Sequence, residues 1–181
     1  MISAKVFKGG MSNGSLEPGI YEGCTFESIV VENGWLDITF TVNGRNMRKR
    51  IFDPAGKYPN DGETIQAAID REVATNAAQL THVMQAIVSE EEINKVEGKD
   101  YASFVAAVAK ALKGKNGALV NVKLVFDKAG EYVEFPRRNA WIEKHVNGEP
   151  AKLKISQKEL QPGESKKKVA KEVDGDDKLP F

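Results

Sequence analysis

The chain has 181 residues, of which 41% are hydrophobic, and its 26 basic and 26 acidic side chains give a formal net charge of zero. The length suits one ordinary domain with an appendage, and zero net charge argues against coating a polyanion by bulk charge alone. The sequence also lacks an apolar run long enough to cross a bilayer, a signal-peptide core and a second cysteine beside Cys24, so it predicts a cytoplasmic protein without internal disulfides.

Three strands are predicted in the first third of the chain. Residues 19–31 are rich in β-formers, and residues 35–42 (WLDITFTV) alternate, with Leu36, Ile38, Phe40 and Val42 on one face. The dipeptide Asn43–Gly44 is a strong hairpin signal, after which residues 45–52 (RNMRKRIF) return as the third strand. A turn at 32–34 (ENG) joins the first two strands.

Helical spacing replaces alternation after the breakers Pro54, Gly56, Pro59 and Gly62. Apolar residues recur with a helical period over 63–88, which predicts one long amphipathic helix. The SEEE pattern at 89–92 has the form of a capping box, and Asp100 is placed to cap a further helix that stops at Gly114. We therefore expect a helical insertion at about 62–114.

Strand character resumes over 118–126, where Val120, Val122, Leu124 and Phe126 share a face. Residues 132–146 are predicted as one further strand, with Pro136 at an edge or bend. The following segment becomes polar and rich in lysine, with too little apolar content to fold alone. We expect a folded domain over 1–155 and a disordered C-terminal tail over 156–181.

The order of elements is three strands, a helical segment and two strands. This order is that of the OB-fold, a small barrel that commonly binds single strands of nucleic acid. The sequence thus predicts a mainly β protein with a helical insertion, in the α+β class, built on a five-stranded OB-fold barrel with its helices between strands 3 and 4.

The hairpin predicts a cationic and aromatic surface. With a two-residue turn at Asn43–Gly44, the residue numbers of each cross-strand pair sum to 87. Trp35 is therefore expected opposite Phe52, Asp37 opposite Arg50, and Thr39 opposite Arg48. A register slip of two residues leaves each side chain on the same face. Two rings and two guanidinium groups are therefore expected together, in a segment (45–50) that holds four basic residues despite the zero net charge.

Such a surface suits single-stranded nucleic acid, because bases stack on rings while cations follow the phosphates. The candidate stacking residues are Trp35, Phe52, Tyr132 and Trp141, and the candidate phosphate contacts are Arg45, Arg48, Lys49, Arg50, Arg137 and Arg138. Core or cross-strand packing is the competing interpretation of the rings, and it is the favoured one for Phe52 and Trp141. A basic hairpin also serves to protect a sheet edge from aggregation.

The sequence carries no sign of an enzyme. His82 and His145 have no second histidine or cysteine at metal-ligand spacing, and the chain has no Gly-rich phosphate loop. We therefore expect no catalytic residues, no metal and no cofactor.

The last residues, DGDDKLPF, place acids before an apolar end. They resemble the C-terminal tip of bacterial single-stranded-DNA-binding proteins, with Lys178 standing where that family has a further acid. The body is similar only in strand order, and its helical insertion looks more like that of divergent bacteriophage members. The resemblance implies that replication, recombination and repair proteins bind the tip, through Asp174, Asp176, Asp177, Leu179, Pro180 and Phe181.

Together these patterns predict sequence-independent binding and protection of single-stranded DNA, in the cytoplasm of a bacterial or phage-infected cell. The alternative is an adaptor whose barrel binds protein and whose basic hairpin meets an acidic partner. Oligomeric state, the choice between DNA and RNA, and the length of the binding site are left open at this point.

Overall fold

The computed structural model describes residues 6–8, 15–32 and 35–161, so the predicted tip at 174–181 lies outside the described residues. The strands are β1 (Val6–Lys8), β2 (Gly19–Glu32), β3 (Trp35–Val42), β4 (Arg45–Phe52), β5 (Leu119–Phe126), β6 (Val133–Glu134) and β7 (Ile142–Lys144). The helices are α1 (Ile65–Ile87), α2 (Glu90–Ile93), α3 (Tyr101–Leu112) and α4 (Gln157–Leu160), and a 3₁₀ turn covers Pro54–Gly56.

The strands form one mainly antiparallel sheet in the order β4-β3-β2-β5-β6. The long strand β2 lies at its centre, where it pairs with β3 over residues 25–32 and with β5 over 19–25. The short strand β1 pairs with β2 in parallel, and β7 pairs with β5 at residues 120–122. The expected α+β class is confirmed, and β1 is a strand that was not predicted.

The β3–β4 hairpin has the predicted register, with Trp35 paired to Phe52 and Val42 paired to Arg45. Asn43 and Gly44 have φ angles of 49° and 77°, the left-handed backbone that a two-residue hairpin turn requires. The alternating apolar residues of β3 point into the core: Leu36, Ile38, Phe40 and Val42 are at most 2% exposed. The opposite side of this hairpin is called the outer face below.

The helices follow their predicted boundaries closely because local caps define them. Thr64 accepts a hydrogen bond from the backbone of Ala67 at the start of α1, and Ser89 forms the predicted capping box with Glu92 before α2. Asp100 caps α3 through the backbone N–H of Ser103. Apolar residues of α1 and α3 join the sheet residues in a single core cluster.

The predicted strand at 132–146 is wrong as one element. The chain forms two short strands, β6 and β7, joined by an irregular segment that contains Phe135, Pro136 and Trp141. Phe135 and Trp141 are buried there against Phe40, with ring centroids 5.4 and 5.8 Å from it. Packing of these rings into the core bends the segment away from a continuous ladder.

Within the described residues, no strand ladder joins β4 to β6 or β7, so the sheet is not closed into a barrel by backbone pairing. The free edge of β4 is bridged instead by the buried Lys49, whose Nζ donates to the carbonyl oxygens of Phe135 (3.4 Å) and Pro136 (2.9 Å). This side chain holds the irregular segment beside β4.

The prediction of disorder from residue 156 onward is wrong for the first residues of the predicted tail. These residues include α4, which packs on the sheet through Glu159, and the Glu159 carboxylate accepts from the Nζ of Lys123 at 2.8 Å. The lysine-rich composition concealed this contact, because a buried ion pair leaves no apolar signature in the sequence.

Candidate nucleic-acid interface

The outer face of the hairpin presents three cross-strand pairs that begin at its open end. They are Trp35 with Phe52, Asp37 with Arg50, and Thr39 with Arg48. Because side chains alternate along a strand, these six lie on the side opposite the buried row of β3. The predicted co-location of two rings and two guanidinium groups is therefore correct as geometry.

Trp35, Arg50 and Asp37 form one stacked and ion-paired unit. The Arg50 guanidinium lies over the Trp35 ring, 4.6 Å from its centroid, and donates to both Asp37 carboxylate oxygens at 2.8 and 2.7 Å. The hydrogen bond from Arg50 holds the pKa of the Asp37 carboxyl below its ordinary value. Bidentate pairing and cation–π contact hold the guanidinium rigidly, so Arg50 is less available to a phosphate than predicted.

Trp35 also borders a cavity between the open end of the hairpin and α3. The cavity has a volume of about 170 Å³, and its other lining residues are Val31, Leu36, Ile51, Asp53, Tyr101, Ala102 and Val105. With Arg50 over one ring face, Trp35 is better placed to support the surface than to receive a base on each side.

Arg48 and Phe52 are the accessible members of the outer face. The Arg48 side chain is 62% exposed, with Asp37 3.6 Å away as a distant partner. Phe52 is 59% exposed, so the expectation that it packs in the core is wrong. The reason is its position at the last residue of the edge strand β4, where α1 receives the backbone carbonyl and leaves the ring outside.

Two predicted contacts lie inside the protein. Trp141 has no exposed surface, so it is a core residue and cannot stack a base without unfolding the site. Lys49 falls on the inner face of β4, opposite Ile38, and is 8% exposed. Burial lowers the pKa of its ammonium from 10.5 to about 8. Lys49 therefore bridges the sheet edge and is not a surface phosphate contact.

The remaining predicted residues are exposed and lie in three separate parts of the chain. Arg45 is at the turn end of β4, seven residues or roughly 23 Å of strand from Phe52. Tyr132 is 70% exposed beside the β5–β6 turn, where its backbone carbonyl accepts a hydrogen bond from Asp127. Arg137 and Arg138 follow the segment that Lys49 holds, so they lie near the free edge of β4.

Sequence reasoning missed three residues next to the open end of the hairpin. The Glu72 carboxylate on α1 is 8% exposed and accepts from Arg137 (2.6 Å) and from Lys57 (3.1 Å). Tyr58, which follows Lys57, is 87% exposed. Tyr58 lies in the loop between Pro54 and Gly62, where no strand or helix would direct its ring into the core. Its place in the sequence could therefore have indicated an exposed aromatic ring.

The outer side of β5 contrasts with the hairpin, because segment 151–160 covers it. Lys123 on this side is 2% exposed and donates to Glu159 and to the carbonyl of Lys154. Asn121, also 2% exposed, accepts from the backbone of Gly23 and donates to Glu143. Among the described residues, the open part of this side comprises the β3–β4 hairpin and the adjoining end of β2, where Val30 pairs with Asp37 and is 45% exposed.

Comparison of this chain with models of protein families, with curated proteins and with solved structures gave no match. Within residues 6–8, 15–32 and 35–161, no three His, Cys, Asp or Glu side chains are grouped so as to hold a metal ion. None of the helices in this described part combines the length and the apolar character needed to cross a membrane.

Proposed function

We propose that this chain binds single-stranded DNA without sequence preference, through the outer face of the β3–β4 hairpin, and protects it during replication, recombination or repair. The observation that carries the proposal is the pairing of an exposed ring, Phe52, with an exposed guanidinium, Arg48, on one face of an edge strand. Phe52 is the stacking platform and Arg48 the phosphate contact.

The ion-paired unit that lies between Phe52 and Arg48 on the outer face supports the same function. Because Arg50 is held by Asp37 and Trp35, the surface between Phe52 and Arg48 is already ordered before a ligand arrives. Ordering costs on binding are therefore low. A duplex keeps its bases stacked inside and presents no free base to Phe52, so the arrangement favours single strands.

In this proposal the sheet is an OB-type barrel whose closing ladder is replaced by a side chain. The central strand β2 pairs with β3 on one edge and β5 on the other, and the last strand β7 returns to β5. This order supports the OB assignment, with the Lys49 bridge to residues 135 and 136 standing where strands 3 and 5 would pair.

A titration of labelled oligo-dT of about 30 nucleotides against a matched duplex, each at two salt concentrations, tests the DNA-binding proposal. We expect tight, salt-dependent binding to oligo-dT and weak binding to the duplex. Phe52→Ala should weaken oligo-dT binding by about fivefold or more, while Phe52→Tyr, the matched control, keeps the ring and the affinity. An oligo-rU arm decides between DNA and RNA.

Equal affinity for both DNA forms, or no binding at low salt, would overturn the proposal. In the second case, with the protein folded, the adaptor function becomes the better account of the basic hairpin.

We further propose that the tip at Asp174–Phe181 recruits replication, recombination or repair proteins. The support is its resemblance to the family tip and its chemistry: the apolar side chains of Leu179 and Phe181 suit an apolar pocket, and the aspartates attract a basic surface around it and speed the encounter. Pulldown from a host lysate with the full chain and with residues 174–181 deleted tests this. Identical captured proteins from the two baits would contradict it.

A further inference from the structure

The end of β4 adjoins a second group of exposed aromatic and cationic residues, centred on Glu72 of α1. We propose that a bound single strand continues beyond Phe52 onto this group, called the Glu72 cluster, which consists of Lys57, Tyr58, Glu72 and Arg137. The inference rests on the proposed function and extends it, because it assigns binding residues outside the hairpin.

The cluster carries accessible positive charge that one buried carboxylate holds in place. Glu72 pairs with both Lys57 and Arg137, which leaves a net charge of +1 among the three. Burial acts to raise the pKa of Glu72, but the hydrogen bonds from Arg137 and Lys57 outweigh it and lower the pKa, so the carboxylate stays ionised. The Arg137 side chain remains 56% exposed, and a guanidinium has N–H groups beyond those that contact Glu72.

The cluster is joined directly to the outer face of the hairpin. Asn76, one helical turn after Glu72, donates from Nδ2 to the carbonyl oxygen of Phe52 at 3.0 Å. Four residues correspond to about 6 Å along a helix axis, so the points on α1 that hold Phe52 and Lys57 are close neighbours. A strand stacked on Phe52 therefore reaches the Glu72 cluster within a few nucleotides.

The cluster also offers a second stacking surface. Tyr58 is 87% exposed and Phe52 59%, and the 3₁₀ turn Pro54–Gly56 separates them in the chain. Pro54 is buried and Lys57 donates from its backbone to the Pro54 carbonyl, so the loop that carries Tyr58 has a defined start. Two exposed rings flanked by cations repeat the chemistry of the hairpin surface.

The test compares Tyr58→Ala with Arg137→Ala in oligo-dT titrations over a series of salt concentrations. Tyr58→Ala should weaken binding by about fivefold or more without changing the slope of log K against log salt. Arg137→Ala should reduce the magnitude of that slope by about 0.7, the value for one phosphate contact on a single strand. Tyr58→Phe and Arg137→Lys are the matched controls, because they keep the ring and the charge.

If wild type binds oligo-dT but Tyr58→Ala binds equally well and Arg137→Ala keeps the wild-type slope, the strand does not cross the Glu72 cluster and the inference fails while the proposed function stands. If wild type itself does not bind, both fail. Thermal unfolding of each variant tests for loss of structure, which matters most for Arg137→Ala because it leaves Lys57 as the remaining ion-pair partner of the buried Glu72 carboxylate.

Discussion

The two halves of the sheet's outer side differ in the exposure of their basic residues. On the β3–β4 hairpin, Arg48 is 62% exposed and has only a distant acidic neighbour. On β5, the Lys123 side chain is 3% exposed and is bonded to Glu159 and to the Lys154 carbonyl. Both residues sit at strand positions facing away from the main core, and the difference lies in what covers them.

The role of a basic residue on a strand therefore depends on whether another segment of the chain packs over its side chain. Segment 151–160 lies over β5 and converts Lys123 into a structural anchor. Nothing among the described residues lies over the hairpin in the same way, so Arg48 stays free for a ligand. The first half should respond to substitution through binding and the second through stability.

The largest expected effect is on the covered half. Glu159→Ala leaves the buried Lys123 ammonium without its anionic partner, so the free energy of unfolding should fall by about 2–4 kcal/mol in urea titrations. Glu149→Ala, the matched control, removes an acid from an exposed pair with Lys152 and should cost less than about 0.5 kcal/mol.

Combining Lys123→Met with Glu159→Gln should recover most of that loss, because no buried charge is left unpaired. Similar stability of Glu159→Ala and Glu149→Ala would show that α4 does not anchor the C-terminal segment. A chain ending at Ile155 should lose at least as much stability as Glu159→Ala, because it lacks the whole of α4.

The next effect concerns Lys49, which holds the irregular segment beside β4. Its pKa is about 8 in the folded protein, against 10.5 ordinarily, because of burial. Between these values the unfolded chain holds a proton that the folded chain has lost, so Lys49 raises stability as pH rises from 8 to 10.5. We expect a gain of about 1–3 kcal/mol relative to Lys49→Met across that window.

The measurement is the free energy of unfolding of wild type and of Lys49→Met at intervals from about pH 7 to about pH 10.5, the ordinary lysine pKa. The difference between the two proteins is the relevant quantity, because burial also raises the pKa of Cys24 from 9.0 to about 12 and this thiol acts in the opposite direction. Both proteins contain Cys24, so its contribution cancels. A difference that does not change with pH contradicts the assignment of Lys49 as a buried lysine.

The smallest effect is expected on the open half. Arg48→Ala should leave the free energy of unfolding within about 0.5 kcal/mol of wild type, since the side chain is exposed. It should weaken oligo-dT binding several-fold at low salt and reduce the salt slope by about 0.7. Lys95→Ala, which removes a cation from an exposed pair with Glu91, serves as the control for charge alone.

If Arg48→Ala and Lys95→Ala shift the binding curve equally, the open half acts only through overall charge. A large loss of stability in Arg48→Ala would instead place Arg48 with the structural cations.

Much of the fold was predictable because its signals are local. Alternation in 35–42, the Asn43–Gly44 turn and the caps at Ser89 and Asp100 are each decided within a few residues, and the structure has them as predicted. The strand expected at 132–146 was not predictable, because its path depends on the burial of Phe135 and Trp141 against a distant ring.

The candidate site divides in the same way. Strand periodicity determines which hairpin side chains share the outer face. The exposure of each side chain depends instead on contacts with residues that are distant in the chain. Lys49 and Trp141 are far apart in the chain but are buried next to each other, with the Lys49 Nζ 5.7 Å from the centroid of the Trp141 ring. The Glu72 cluster joins residues 57, 72 and 137, a spacing that no local pattern reveals.

The sequence by itself determined the hairpin, its register, the helix boundaries and which side chains share the outer face, because backbone periodicity and turn chemistry act over short distances. The tertiary structure decided which of those side chains meet solvent. It buried Lys49, Lys123 and Trp141, exposed Phe52, and bound Arg50 to Asp37. The physical reason is that burial and ion pairing depend on segments that fold back from elsewhere in the chain.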